Sequence, residues 1–143
     1  MINLGLALDA QGKWEEAEEL YRQCLGVCIA RYGPEDDLTL RVTGQLATVL
    51  SRQDAISGEA EALARAALGI REGKFGVMHQ ETLESVWLLA SLIEKQGRWE
   101  EALHGYKRAY AGAKQVLGEK HDDTKDYADD YMKLWNKKKF VSF

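Results

Sequence analysis

The 143-residue chain is 45% hydrophobic and 29% charged, which is the balance of a folded globular protein and not of a disordered tail. Its net charge of -4 at pH 7 removes the usual electrostatic argument for nucleic acid as a partner. No apolar run approaches the roughly 20 residues that span a bilayer, and the start lacks the pattern of a signal peptide. We therefore expect a cytoplasmic protein that binds neither nucleic acid nor membrane.

One segment of the sequence returns further along the chain. GKWEEAEELYRQCL begins at Gly12 and reappears as GRWEEALHGYKRAY at Gly97, with a degraded copy, QDAISGEAEALARAAL, between them. Equivalent alanines stand at Ala17, Ala60 and Ala102, so the period is 43 and then 42 residues. A period of this length indicates a repeat architecture, in which each unit buries its apolar face against its neighbours.

Each copy of the repeat predicts two helices, because apolar residues recur at spacings of three and four. The fold class expected is therefore all-α, an α-solenoid of stacked antiparallel helix pairs with about seven helices. The first helix begins only three residues before Leu4, so the chain resembles a fragment of a longer array, or one whose first helix pairs with something else. We expect a single solenoid over 1–143, with a short repeat 1 (1–35), repeat 2 (36–78), repeat 3 (79–120), a C-terminal capping helix (121–139) and a tail (140–143).

Glycines and short polar residues mark the expected helix ends. The predicted N-caps are Asp37, Thr82 and either Asp123 or Thr124. Small residues on facing sides of the paired helices predict close crossings. The predicted helix-ending glycines are Gly12, Gly33, Gly76, Gly97 and Gly118, and the small crossing residues are Gly5, Ala47, Ala90, Ala17, Ala60 and Ala102.

The first and third copies resemble the tetratricopeptide repeat, whose signature places a Leu-Gly pair, a Tyr and a packing Ala at fixed offsets. Leu4-Gly5, Ala17 and Tyr21 carry this resemblance in the first copy. The period exceeds the usual length of about 34 residues, and the pattern G-x-x-H-x-x-T-L at 76–83 is similar to the long repeats of kinesin light chain. The middle copy departs from the pattern, since it has one inserted residue and lacks Gly and Trp at its turn.

The resemblance implies a non-catalytic module for protein–protein interaction within a larger scaffold or signalling protein. The residues agree, because no catalytic, cofactor or metal motif is present. The Glu pairs fall in first turns of helices, where negative charge is favourable. We interpret His79 and His121 as loop-stabilising hydrogen-bond partners, and Cys24 and Cys28 as reduced core residues.

Binding is expected along the first helix of each unit, which lines the concave surface of such solenoids. Trp87 is either a ligand anchor in this groove or packed on Leu88 or a neighbouring helix. The resemblance to kinesin light chain implies that Arg41, Arg52 and Lys95 meet ligand carboxylates. The residues predicted to bind a peptide or partner are Asn3, Arg41, Gln45, Thr48, Arg52, Trp87, Ser91, Lys95 and Lys133.

A second hypothesis is a structural or sensor segment that forms homo-oligomers through uncovered end helices. Ile2, Leu4 and Leu8 are the apolar residues of the first helix that would take part. This hypothesis differs from the first in its partner, which is another copy of the chain.

Overall fold

A computed structural model describes the backbone of residues 2–141 and the side chains of residues 4–139. Every secondary-structure element in this range is an α-helix, so the prediction of an all-α chain with about seven helices is confirmed. The helices are α1 (Ile2–Ala10), α2 (Trp14–Tyr32), α3 (Asp37–Gln53), α4 (Gly58–Phe75), α5 (Gln80–Lys95), α6 (Trp99–Val116) and α7 (Asp122–Val141).

The chain forms two compact units, Met1–Ala67 and Leu68–Phe143, and α4 begins in the first and ends in the second. We call α1, α3, α5 and α7 first-type helices and α2, α4 and α6 second-type helices. In the first unit α2 packs against α1 and α3, and in the second unit α6 packs against α5 and α7. In each unit a second-type helix therefore contacts two first-type helices.

Alanines allow the second-type helices to pack closely on their neighbours. Ala17 and Ala102 are completely buried, and Ala60 is 2% exposed. Cys24 and Cys28 are buried as free thiols on the same side of α2, as expected for reduced core residues. Burial raises the pKa of the Cys28 thiol, so this group stays protonated near neutral pH.

Glycines end the helices as predicted. Gly12 and Gly97 have φ values of 76° and 80°, in the left-handed region where a side chain is strained. Gly33, Gly76 and Gly118 also have positive φ. The middle copy, which lacks this glycine, turns differently: the Asp54 carboxylate accepts a hydrogen bond from the Ile56 N–H at 3.2 Å. The Ser57 hydroxyl oxygen then accepts from the Ala60 N–H at 3.2 Å.

The predicted N-caps are wrong by one to three residues. The Asp36 carboxylate caps α3 by accepting from the Leu38 N–H at 3.0 Å, and His79 Nδ1 caps α5 by accepting from the Glu81 N–H at 3.1 Å. His121 Nδ1 accepts from the Asp123 N–H at 3.1 Å. Thr82 cannot serve as the cap because it lies inside α5, where its hydroxyl donates to the Gly76 carbonyl at 2.7 Å. Both histidines thus stabilise the loops before α5 and α7, as expected.

Two properties of the described residues bear on other functions. None of their helices combines the length and apolar character that crossing a membrane requires. Among the same residues, no three His, Cys, Asp or Glu side chains are grouped so that they could hold a metal ion.

Candidate protein-interaction surface

Helix α3 leaves one narrow strip of its surface accessible to solvent. Most of its circumference is buried, including Val42 and Ser51, which point in opposite directions because they are nine residues apart on the helix. The accessible side chains recur at spacings of four, three and four residues, which places them on one face of a helix. This α3 strip consists of Arg41, Gln45, Thr48 and Arg52.

The α3 strip presents mainly hydrogen-bond donors and positive charge. Arg41 is exposed and forms no ion pair with any side chain that the structure describes. Arg52 is less available, because its Nε lies 3.2 Å from Asp9 Oδ1 on α1. The Thr48 hydroxyl donates to the Gly44 carbonyl at 3.0 Å, which leaves its oxygen free to accept. The predicted binding residue Asn3 lies outside the residues whose side chains are described.

Helix α5 has a corresponding strip, since it too is buried over most of its circumference. Ser91 is half-buried, and its hydroxyl donates to the Leu88 carbonyl at 2.7 Å. Lys95 is exposed but has an interaction partner in the chain. The α5 strip consists of Glu84, Trp87, Leu88, Ser91, Glu94 and Lys95, so it carries both charges and a large aromatic ring.

Trp87 packs against a neighbouring helix, which resolves the two placements that the sequence left open. Its Nε1 donates to Asp130 Oδ2 on α7 at 2.6 Å, and its ring stacks on Tyr127 with centroids 5.9 Å apart and planes at 28°. Burial raises the pKa of the Tyr127 hydroxyl, which keeps this group neutral. Trp87 is nevertheless only half-buried, so part of the indole remains open to solvent.

The sequence contains a signal that identifies the partner of Trp87. Asp130 follows Trp87 by 43 residues, which is one repeat period to within one residue. The Gln80 amide donates to Asp123 Oδ2 at 3.0 Å, and these residues are also 43 apart. Side chains separated by one period therefore meet across successive first-type helices of this unit.

The lysines near the end of α7 have different environments. Lys133 is exposed and pairs with no carboxylate of the described residues. Lys137 Nζ lies 4.8 Å from the centre of the Trp99 ring, and Lys138 Nζ lies 3.1 Å from Glu100 Oε1. Lys133 is thus the predicted binding residue of α7 that keeps its charge free within the described part of the chain.

Comparison with known proteins identifies the repeat. Two models of the tetratricopeptide repeat match the chain, one over residues 1–73 and one over residues 89–123. No curated protein matches the sequence.

Solved structures with this fold include one from Podosopora anserina, described as a kinesin light chain with nearly identical TPR-like repeats. It superimposes with a TM-score of 0.83 at 19% identity, over 93% of this chain and 63% of that one. BtubC (BKLC) from P. vanneervenii gives a TM-score of 0.77 at 20% identity, over 94% of this chain and 52% of the other. Our chain therefore spans less than two thirds of each of these proteins, and at such identities the likeness establishes an all-α solenoid fold. Together with the family model, which covers half of the sequence, it places the chain in the tetratricopeptide repeat family.

Proposed function

We propose that this chain is a non-catalytic protein–protein interaction module that binds an extended peptide or a partner domain along its first-type helices. Tetratricopeptide repeats generally mediate interactions between proteins, and this chain belongs to that family. Its place in a larger scaffold or signalling protein is part of the same proposal.

The observation that carries the proposal is the pair of accessible strips on α3 and α5. On both helices the side chains on either side of the strip are buried. The strip residues are therefore the ones that a ligand can contact. Gln45, Thr48 and Ser91 offer groups that bond the backbone of an extended peptide. Arg41 supplies an exposed guanidinium that suits a carboxylate of the ligand.

The structure changes which residue best reports binding to the strips. Replacing Trp87 would remove its contacts with Asp130 and Tyr127, so lost binding could result from lost packing. Arg52 has the same drawback because it pairs with Asp9. Arg41 is the cleaner probe, since its replacement breaks no ion pair of the described residues.

The test selects ligands for the purified chain from a displayed peptide library and measures their affinity by calorimetry. We expect Arg41→Glu to weaken selected peptides at least tenfold. Arg31→Glu makes the same charge change at an exposed position near the end of α2 and should leave affinity unchanged. Equal affinity of both variants for every selected peptide would contradict binding at the α3 strip. Turnover of any substrate by the purified chain would contradict the non-catalytic part.

A further inference from the structure

Helix α7 has an apolar face that is open, whereas the equivalent face of α5 is covered by the second-type helix α6. On α5 this face touches α6 so closely that a Cβ added at Gly105 would lie 2.9 Å from Ala90 Cβ. Thr82 and Thr124, both buried near the start of their helices, set the offset from α5 to α7 at 42 residues. Ala90 therefore corresponds to Met132.

The corresponding face of α7 is open to solvent. Met132 is 49% exposed and Trp135 is 46% exposed, and no second-type helix of the described residues covers them. A lysine lies at each end of this apolar stripe. The lysines and the apolar residues lie on one face because they recur at helical spacings of three and four. We call this the basic α7 face; it consists of Lys125, Ala128, Met132, Trp135 and Lys139.

A second uncovered apolar face lies on α1 and α2. There Leu4, Leu8 and Leu20 surround a shallow hollow of about 200 Å³ together with Glu16 and Glu19. Leu4 is 57% exposed, and Val27, seven residues after Leu20 on the same side of α2, is 55% exposed. We call this the acidic α1/α2 face; it consists of Leu4, Leu8, Glu16, Glu19, Leu20 and Val27.

The charges of the two faces are complementary and uncommitted. Glu16, Glu19, Lys125 and Lys139 are all exposed, and none forms an ion pair within the described part of the chain. Glu16 and Glu19 border the apolar centre of the acidic face, and Lys125 and Lys139 stand at the two ends of the basic face. One carboxylate, Asp129, lies beside Lys125 and Ala128, so the basic face keeps a smaller net charge of positive sign. Pairing either face with its own copy would set like charges opposite each other, which is unfavourable, whereas pairing unlike faces brings Lys to Glu.

We propose that the basic α7 face of one molecule binds the acidic α1/α2 face of a second copy, in a heterologous contact. Leu4, Leu20 and Val27 then bury Met132 and Trp135, which removes apolar surface from water on both molecules. This inference goes beyond peptide binding and uses neither strip. It assigns definite surfaces to the self-association that the end helices suggested, although the Ile2 side chain lies outside the described residues.

A complementation experiment tests the polarity of the contact. The first variant, Leu4→Lys with Val27→Lys, damages the acidic face, and the second, Met132→Glu with Trp135→Glu, damages the basic face. These four side chains are all roughly half exposed, so both variants should fold, as circular dichroism would verify. By light scattering and sedimentation, we expect the wild-type mass to rise above that of a monomer as concentration increases.

Each variant alone should remain a monomer, whereas an equimolar mixture should form a one-to-one dimer through the intact faces. Wild-type protein that stays monomeric at every concentration would overturn the proposal. So would a mixture that stays monomeric although the wild type assembles, because that result indicates a contact between like faces. Assembly by either variant alone would likewise show that the faces are wrongly assigned. None of these results affects the peptide-binding proposal, because Arg41 lies on neither face.

Discussion

The α1/α2 pair and the α5/α6 pair carry the same motif but stabilise it differently. In the later pair, the Tyr106 hydroxyl donates to Glu94 Oε1 at 2.6 Å. The residues 85 positions earlier are Tyr21 and Asp9, and here the buried Tyr21 hydroxyl has no hydrogen-bond partner among the residues whose side chains are described. Asp9 is one methylene shorter than Glu94 and lies against Arg52 instead.

The glycine that allows the two helices to approach closely lies on a different helix in each pair. In the α5/α6 pair Gly105 on α6 lies against Ala90 on α5. In the α1/α2 pair the glycine is Gly5 on α1, where a Cβ would lie 2.5 Å from Cζ of Tyr21. The repeat therefore fixes where a small residue is needed, but it fixes neither the helix that supplies this residue nor a hydrogen bond for the tyrosine hydroxyl.

The largest expected effect on stability comes from replacing the buried alanine that both helix pairs contain. Ala17→Glu and Ala102→Glu each place an unpaired charge at a completely buried position. We expect either change to lower the free energy of unfolding by about 4 kcal/mol or more, which would unfold its helix pair. Urea unfolding followed by circular dichroism measures the loss. Ala111→Glu, at an exposed position of α6, is the control and should change stability little; a fully stable Ala102→Glu protein would refute the helix register.

A smaller effect distinguishes the glycine of the first pair. Gly5→Ala should destabilise the chain by about 1–3 kcal/mol, because its Cβ would overlap the Tyr21 ring. Gly26→Ala makes the same change within α2, where a Cβ meets nothing within 4 Å. It should stabilise the chain by about 0.5–1 kcal/mol through helix propensity. Thermal unfolding of both variants tests the contrast, which fails if they shift the midpoint in the same direction.

The tyrosine hydroxyls of the two pairs should differ in their contribution to stability. Tyr106→Phe removes a hydrogen bond to a carboxylate and should cost about 1.5–3 kcal/mol. Tyr21→Phe removes a buried hydroxyl that is unpaired within the described part of the chain, so it should be neutral or slightly stabilising. Equal losses in urea unfolding would mean that Tyr21 is paired after all. Asp9→Glu should stabilise the protein only while the Tyr21 hydroxyl is present, which a double-mutant cycle measures.

The smallest effect concerns an ion-pair network of the first unit. Arg22 donates to Glu18 at 2.8 Å and to both carboxylate oxygens of Glu59 at 2.8 and 3.0 Å. These hydrogen bonds lower the pKa of both Glu18 and Glu59 below the ordinary value of 4.5. The network therefore stabilises the fold above about pH 4.5 and loses this effect as pH falls through the lowered pKa values.

Arg22→Gln should accordingly cost less than about 1 kcal/mol at neutral pH, because all three side chains are largely or partly exposed. The difference from wild type should disappear in acid. Urea unfolding at a series of pH values provides the measurement, and a difference that persists below the lowered pKa values would contradict the assignment.

Local patterns were sufficient to predict the helices, the helix-ending glycines and the accessible side of α3 and α5, because these follow from spacing along the chain. The N-cap of α5 was not predictable in this way, since Thr82 and His79 both suit a loop and their hydrogen bonds decide between them. Periodicity within a single helix does not give the partners of Arg52 and Trp87. Both partners, Asp9 and Asp130, lie 43 residues away, so the length of the repeat is the signal that could have identified them.

The contacts one period apart also favour the native order of the helices over other orders. Trp87 meets Asp130 and Gln80 meets Asp123, so each contact joins two unlike side chains on successive first-type helices. If the copies were identical, any first-type helix could dock beside any other, and misassembly is a characteristic failure of repeat proteins. The differences between the copies favour the native pairing of helices, because Asp130 bonds an indole that neither α3 nor α7 has at the equivalent position. Exchanging two repeats would preserve the hydrophobic pattern and still lose these contacts.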